Sequence, residues 1–289
     1  MKKYIIIALL FLSLSTGSYS YAEKIKVIAS IAPIADFVSQ IGRERVDVTL
    51  LLPPGANPHT YEPTPKIIKD ISNAKIFVKV GAGLEFWADK VIKSSDNKSL
   101  TVVIASSDIP LLHGEHSHSH SGADPHIWLD PNIAGKIVTK IEKALIKADP
   151  SHAEFYISNA FVYKKKLSQL DREIFEKVKK FKIKEFVTFH PAWNYFSKRY
   201  GLKVTGVIEE SHGKEPGPKH IAHIIKEIKL TGSSVIFVEP QFNQKLAEAV
   251  ARESNAKIIF LDPIGGQKGR ETYLDLMRYN ISAMERVMK

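Results

Sequence analysis

Three histidines and one aspartate stand out in this sequence as groups able to bind a metal ion. His59 ends the run Pro53-Pro54-Gly55-Ala56-Asn57-Pro58-His59, a loop stiffened by prolines, and His126 lies in Asp124-Pro125-His126-Ile127-Trp128-Leu129-Asp130-Pro131. His190 directly follows the apolar run Phe186 to Phe189, and Asp262 follows Ile258 to Leu261 in the same way. Neutral imidazoles with one carboxylate make a nitrogen-rich, four-coordinate set that suits a borderline divalent ion such as zinc. Proline beside His59, His126 and His190 restricts the backbone, so less entropy is lost when such ligands converge. Taken singly, a histidine at a strand end is more often a hydrogen-bonded loop residue than a ligand.

The elements that must position these groups can be read from hydrophobic patterning. Short β-branched runs at Lys26 to Ser30, Val46 to Leu52, Lys75 to Val80 and Leu100 to Ala105 read as buried strands, each followed by a turn or an amphipathic segment. Glu185 to Phe189, Lys203 to Ile208, Ser234 to Val238 and Lys257 to Leu261 repeat the rhythm. Strands alternating with helices at this spacing indicate an α/β fold of two parallel-sheet lobes. Asp149-Pro150-Ser151 offers a cap residue and a first-turn proline, and the helical pattern then runs to about Lys180 without internal Gly or Pro. Such a helix is on the order of 45 Å long and would join the lobes rigidly. The expected division is an N-terminal lobe over 23–148, a linking helix over 149–180 and a C-terminal lobe over 181–289. His59, His190 and Asp262 then fall at or beyond carboxyl ends of strands, the edge where open α/β sheets bind ligands. With two ligands from each lobe, the ion would lie in the cleft between them.

Composition excludes several alternatives. The chain has 289 residues and no cysteine, which removes disulfide scaffolds, thiol nucleophiles, zinc ribbons and iron–sulfur clusters. Lys and Arg number 41 against 31 Asp and Glu. The basic stretches Lys164-Lys165-Lys166 and Lys177 to Lys184 hold only one aromatic residue, Phe181, however, which makes no series of stacking platforms, and they read as solvated helix faces rather than a nucleic-acid surface.

The amino terminus reads as an export signal. Lys2 and Lys3 precede an apolar run from Tyr4 to Leu14, and Ser20-Tyr21-Ala22 supplies small residues for cleavage before Glu23. The run is shorter than the roughly 18–20 residues that cross a bilayer. Cleavage after Ala22 would leave a mature chain without a lipidation cysteine, free in the periplasm of a cell with an outer membrane.

One segment is of low complexity: residues 113–122 carry His113, His116, His118 and His120 among Ser, Gly and Glu, and are expected to form a loop able to hold an auxiliary metal ion weakly. His220 and His223 sit three apart on an expected helix and read as surface residues. His152 and His212 are given no role. Glu209, Glu210 and Glu239 follow expected strands near the cleft, where they could hydrogen-bond ligand histidines.

PHTYEPTP at 58–65, DPHIWLDP at 124–131, TFHPAWNYFSKRYGL at 188–202, IEESHGKEPGPKHIAHIIKEIK at 208–229, VEPQF at 238–242 and LDPIGG at 261–266 together closely resemble the substrate-binding proteins of bacterial ABC importers for zinc and manganese, the ZnuA/TroA-like family. The resemblance covers nearly the whole mature chain with the motifs in order. It implies two α/β lobes joined by a long helix, His59, His126, His190 and Asp262 as ligands in the cleft, an ABC permease as partner, and a monomer. Manganese members tend to carry a carboxylate at the position of His190, so the histidine here favours Zn2+ over Mn2+ or iron(II). The histidine-rich insertion before DPH points the same way, although it is shorter than the longest family examples.

Two other classes compete with a binding protein. A zinc hydrolase needs an open coordination position and a nearby base, and the sequence has no HExxH, GxSxG or P-loop. A surface adhesin, a label attached to some relatives, would need an anchor, and neither a lipidation cysteine nor a stalk-like repeat is present.

Overall fold

The apolar runs of the first half form strands β1 (Ile25–Ala29), β2 (Val46–Leu50), β3 (Ile76–Lys79) and β4 (Thr101–Ile104), interleaved with helices α1 (Ala32–Gly42), α2 (Pro65–Ser72) and α3 (Ala88–Ser94). Two long helices follow, α4 (Pro131–Ala148) and α5 (Ala153–Val178). The second half places β5 (Glu185–Thr188), β6 (Lys203–Val207), β7 (Val235–Val238) and β8 (Lys257–Phe260) around α6 (Asn194–Tyr200), α7 (Pro218–Thr231) and α8 (Gln244–Ser254), and ends with α9 (Tyr273–Met288). The computed structural model describes residues 23–113, 122–210, 215–231, 234–242 and 244–289. The expected export signal, His116, His118, His120 and His212 lie outside the described residues.

The strands form two four-stranded sheets with the orders β2-β1-β3-β4 and β6-β5-β7-β8. Every neighbouring pair is parallel. The two halves therefore share one topology: the chain steps outward from its first strand, then crosses back to build the other side. In each sheet this creates a switch point, between β1 and β3 and between β5 and β7, where loops diverge and leave a crevice.

Side chains on successive strand positions face opposite sides of a sheet. Val27 and Ala29 join a core shared by the two halves, while Ile28 between them packs under α2 and α3 with Phe77 and Ile71. In the second sheet Phe186 and Phe237 face the shared core, and Val187 and Ile236 face α7 and α8 with Ile224 and Val250. Because both faces are covered at the centre of each sheet, β3 and β7 are buried along their length, whereas the edge strands β2, β4, β6 and β8 carry exposed positions.

The shared core is organised by α5. Its buried residues Tyr156, Ala160, Tyr163, Leu167, Leu170, Ile174 and Val178 recur every three or four positions, which places them in one stripe. Its 26 residues span about 39 Å, and the stripe packs against α1, α4 and α9. One carboxylate ties three of these helices: Asp36 Oδ2 on α1 accepts from Tyr163 Oη at 2.8 Å and from the backbone N–H of Tyr273 at 3.0 Å. A long helix thus joins two lobes that share one core, and the joint is packed along its length.

The start of this helix departs from the sequence reading. Pro150–His152 forms a 3-10 turn, and the α-helix begins at Ala153 without a side-chain cap. The Asp149 carboxylate is taken by tertiary partners: Arg45 Nε at 2.8 Å and Tyr156 Oη at 2.7 Å, with Ser151 Oγ and His152 Nδ1 each at 2.9 Å. Among the described residues, no helix is long and apolar enough to cross a membrane.

Candidate metal centre

Each of the three histidines is aimed by its own local structure. His59 sits in the loop after β2, where its backbone N–H donates to Asn57 Oδ1 at 2.9 Å, an Asx turn that fixes the residue between prolines. His126 precedes a short 3-10 turn, Ile127–Leu129, that leads into α4, capped by Asp130. Asp124 Oδ1 accepts from both the backbone N–H of His126, at 2.9 Å, and its Nδ1, at 2.7 Å. His190 lies just beyond β5, and its Nδ1 faces Glu239 Oε1, just beyond β7, at 3.3 Å. This pair spans the switch point of the second sheet.

With Nδ1–H donated to a carboxylate, the ring presents Nε2 as a lone pair on its other side, the orienting arrangement common around metal-bound histidines. The Nε2 atoms do converge. His59 Nε2 lies 3.1 Å from His126 Nε2 and 3.3 Å from His190 Nε2, and ligand atoms of all three lie within 4.8 Å of one another. Two nitrogens bound at about 2.0–2.1 Å to a tetrahedral ion stand about 3.3 Å apart, so the spacing fits a first-row dication. His126 and His190 turn their lone pairs inward, and a cation at the centre binds all three once His59 also presents Nε2 unprotonated.

The walls are largely apolar. Pro58, Phe242, Pro263 and Ile264 line the pocket beside the three imidazoles, with Gln241 as a further polar group. The Phe242 ring lies 4.9 Å from that of His190 at an interplanar angle of 33°. His126 and His190 are each only 2% exposed, so an ion there would be shielded from water.

Burial also acts on the supporting carboxylate. Complete burial pushes the Glu239 carboxyl up to about 8; the Trp193 indole N–H, donating to Oε1 at 3.1 Å, opposes the rise, and the charges of Asp262 and Glu209 add to it. A dication on the far side of the His190 ring would favour the ionised form.

Asp262 stands outside the group of mutually close ligand atoms. Its backbone is clamped to α9, the N–H donating to Asn280 Oδ1 at 2.8 Å and the carbonyl accepting from Asn280 Nδ2 at 2.6 Å. Oδ1 accepts from the N–H groups of Ile264 and Gly265, both at 2.9 Å. Oδ2 is buried without a hydrogen bond, and Arg270 Nε lies 3.3 Å from it. The carboxylate is held beside the pocket, since its neighbours Pro263 and Ile264 form part of the wall, with one oxygen uncommitted by hydrogen bonding.

The remaining sequence candidates fall elsewhere. His113 pairs with Ala123 in an isolated antiparallel bridge, and its Nδ1 donates to the carbonyl of Gly122 at 3.1 Å. His220 Nε2 donates to the carbonyl of Val207 at 2.9 Å, and His223 is exposed. Asp124 and Arg270 escaped the sequence reading. The Asp two residues before His126 was visible as a potential Asx partner, whereas nothing local marks Arg270 as a neighbour of Asp262.

Residues 27–287 match the family model for the zinc-uptake complex component A, periplasmic. The high-affinity zinc uptake system protein ZnuA of Bacillus subtilis is 34% identical over 282 residues, 92% of this chain and 88% of that protein. The zinc-binding lipoprotein AdcA of Streptococcus pneumoniae is 30% identical over 96% of this chain, which spans 58% of the length of AdcA. Among solved structures, the laminin-binding protein Lmb of Streptococcus agalactiae, described as bifunctional with adhesin and metal transporting activity, superposes with a TM-score of 0.82 at 32% identity, covering 92% of this chain and 100% of that one.

Proposed function

The chain belongs to the ZnuA family of zinc-uptake components, binding proteins of metal transport rather than enzymes, and we propose that it captures one Zn2+ on His59, His126, His190 and Asp262 and delivers it to an ABC permease. The observation that carries this reading is the convergence of three Nε2 atoms at 3.1 and 3.3 Å, the spacing of a tetrahedral ion's nitrogen ligands. Asp262 is the fourth ligand: its Oδ2 is buried without a hydrogen bond, and its loop forms part of the pocket wall.

Zinc is the cargo because three imidazoles outnumber one carboxylate, whereas manganese and iron(II) favour oxygen-richer sets. Residues 1–22 direct export and are cleaved off after Ala22, so the mature chain works in the periplasm, as a monomer. In this reading residues 23–148 and 181–289 are the two lobes, 149–180 link them, and the histidines of 113–122 collect zinc weakly before it enters the pocket.

Metal analysis of the protein isolated at native abundance from its own cells tests the assignment. One zinc per chain is expected, and the H59A/H126A/H190A variant isolated in the same way should carry none in the pocket. Stoichiometric manganese or iron in the native protein would contradict the choice of ion.

A further inference from the structure

Arg270 lies in the loop that leaves Asp262 and returns toward it. Gly265 adopts φ +73, and a Cβ there would come within 2.9 Å of the Arg270 carbonyl oxygen; the N–H of Gly266 donates to that same oxygen at 2.9 Å. The turn requires glycine and brings the guanidinium over the carboxylate. Arg270 Nε stands 3.3 Å from Asp262 Oδ2, yet neither atom makes a hydrogen bond, and the two side chains are only 14% and 2% exposed. The guanidinium is held independently of Asp262. Its Nη2 donates to Gln267 Oε1 at 2.5 Å, and its carbon lies 4.6 Å from the centroid of the Tyr279 ring.

We propose that Arg270 is a resident competitor for the metal ion, a positioning residue that pairs with Asp262 in the unloaded protein and must yield that carboxylate when the ion is captured. The proposal rests on Asp262 being a ligand. A buried ion pair with ideal hydrogen bonds would resist exchange, whereas one without hydrogen bonds between its closest atoms gives up little when the carboxylate turns to a dication. The arginine does not leave, because Gln267 and Tyr279 keep it. The Asp262 carboxylate is therefore contested between a resident guanidinium and the ion, and the pairing given up on capture lowers affinity below what the four ligands alone would give. For a carrier that must release its cargo, this is a built-in limit on tightness.

The test is zinc affinity measured by competition with a chelator at pH 7, with melting temperature as a check on folding. Arg270→Gln, which keeps a polar group but removes the charge, should bind zinc more tightly, on the order of tenfold. Arg270→Lys, which keeps the charge, should stay near wild type. In the D262N background the gain from Arg270→Gln should vanish, since the competed-for carboxylate is gone. If Arg270→Gln unfolds, Arg270→Met keeps an unbranched side chain of similar reach without the charge and carries the same expectation. A folded, uncharged variant that binds zinc no more tightly than wild type, or a gain that persists in D262N, overturns the proposal. If D262N alone leaves zinc affinity unchanged, the ligand assignment of Asp262 fails instead, and with it the premise.

Discussion

Trp128 donates its indole N–H to the carbonyl oxygen of Pro263 at 2.7 Å, while its own carbonyl accepts from Tyr273 Oη at 2.7 Å. Trp128 lies two residues after His126, and Pro263 directly follows Asp262. The loop carrying a first-half imidazole is thus fastened to the loop carrying the second-half carboxylate, at the pocket itself. Both bonds are buried, so their loss leaves polar groups unsatisfied.

Trp128→Phe should therefore cost about 1–3 kcal/mol by orphaning the Pro263 carbonyl, even though the ring is largely retained. Thermal unfolding should show a drop of several degrees, and zinc affinity should weaken because the two loops lose their common register. An unchanged melting temperature would mean that water replaces the indole and that the fastening is dispensable.

Asp124 orients His126 without facing the ion. Asp124→Asn keeps an acceptor oxygen but removes the charge that holds the ring's Nδ1–H, so zinc affinity should fall about tenfold with little change in melting temperature. Affinity equal to wild type would show that the backbone alone aims the ring.

His190→Ala should abolish tight binding while leaving the fold intact, because the ligand lies beyond the end of β5. In the wild-type protein zinc should raise the melting temperature strongly at pH 7 and little near pH 5, since imidazoles must be deprotonated to bind. At zinc about a hundredfold above the dissociation constant, the stabilisation should reach about 2.7 kcal/mol. A shift independent of pH would exclude neutral histidines as the dominant ligands.

Asp149 offers a second pH-dependent test, remote from the metal. Burial alone would raise its pKa, but hydrogen bonds from His152, Tyr156, Arg45 and Ser151 outweigh it and hold the carboxyl well below the usual carboxylate range. A group depressed in the folded state stabilises above its unfolded pKa, and that contribution is lost as pH falls through the folded value. Asp149→Asn should lower the melting temperature at pH 7, and the gap to wild type should narrow as the pH drops below about 4. A gap that holds constant down to pH 2 would show that the ionised form adds nothing.

Much of the fold was legible because its strands are covered on both faces. Runs such as residues 27–29 and Val235–Val238 are apolar throughout, and period alone separates them from the helices that follow. Their ends were read a residue or two too long, since Ser30, Leu51 and Leu52 keep strand-like bonding or burial after leaving the ladder. The strand order was not legible, because nothing in the chain says that β3 returns beside β1. The start of α5 was misread for a similar reason: Asp149 looks like a cap until Arg45, more than a hundred positions away, takes its carboxylate. His59, His126 and His190 could be singled out by type and setting, but their 3.1 and 3.3 Å separations arise only from packing the two lobes around α5. The pairing of Arg270 with Asp262 depends on a glycine turn whose path the sequence does not show.

The central claim is that His59, His126, His190 and Asp262 share one ion. Anomalous diffraction at the zinc edge from crystals of the zinc-loaded protein tests it most directly. A strong peak is expected between the three Nε2 atoms, with bonds of about 2.0–2.1 Å to nitrogen and a carboxylate oxygen of Asp262 completing a tetrahedron. A pocket that stays empty at saturating zinc, with or without a peak elsewhere, would contradict it.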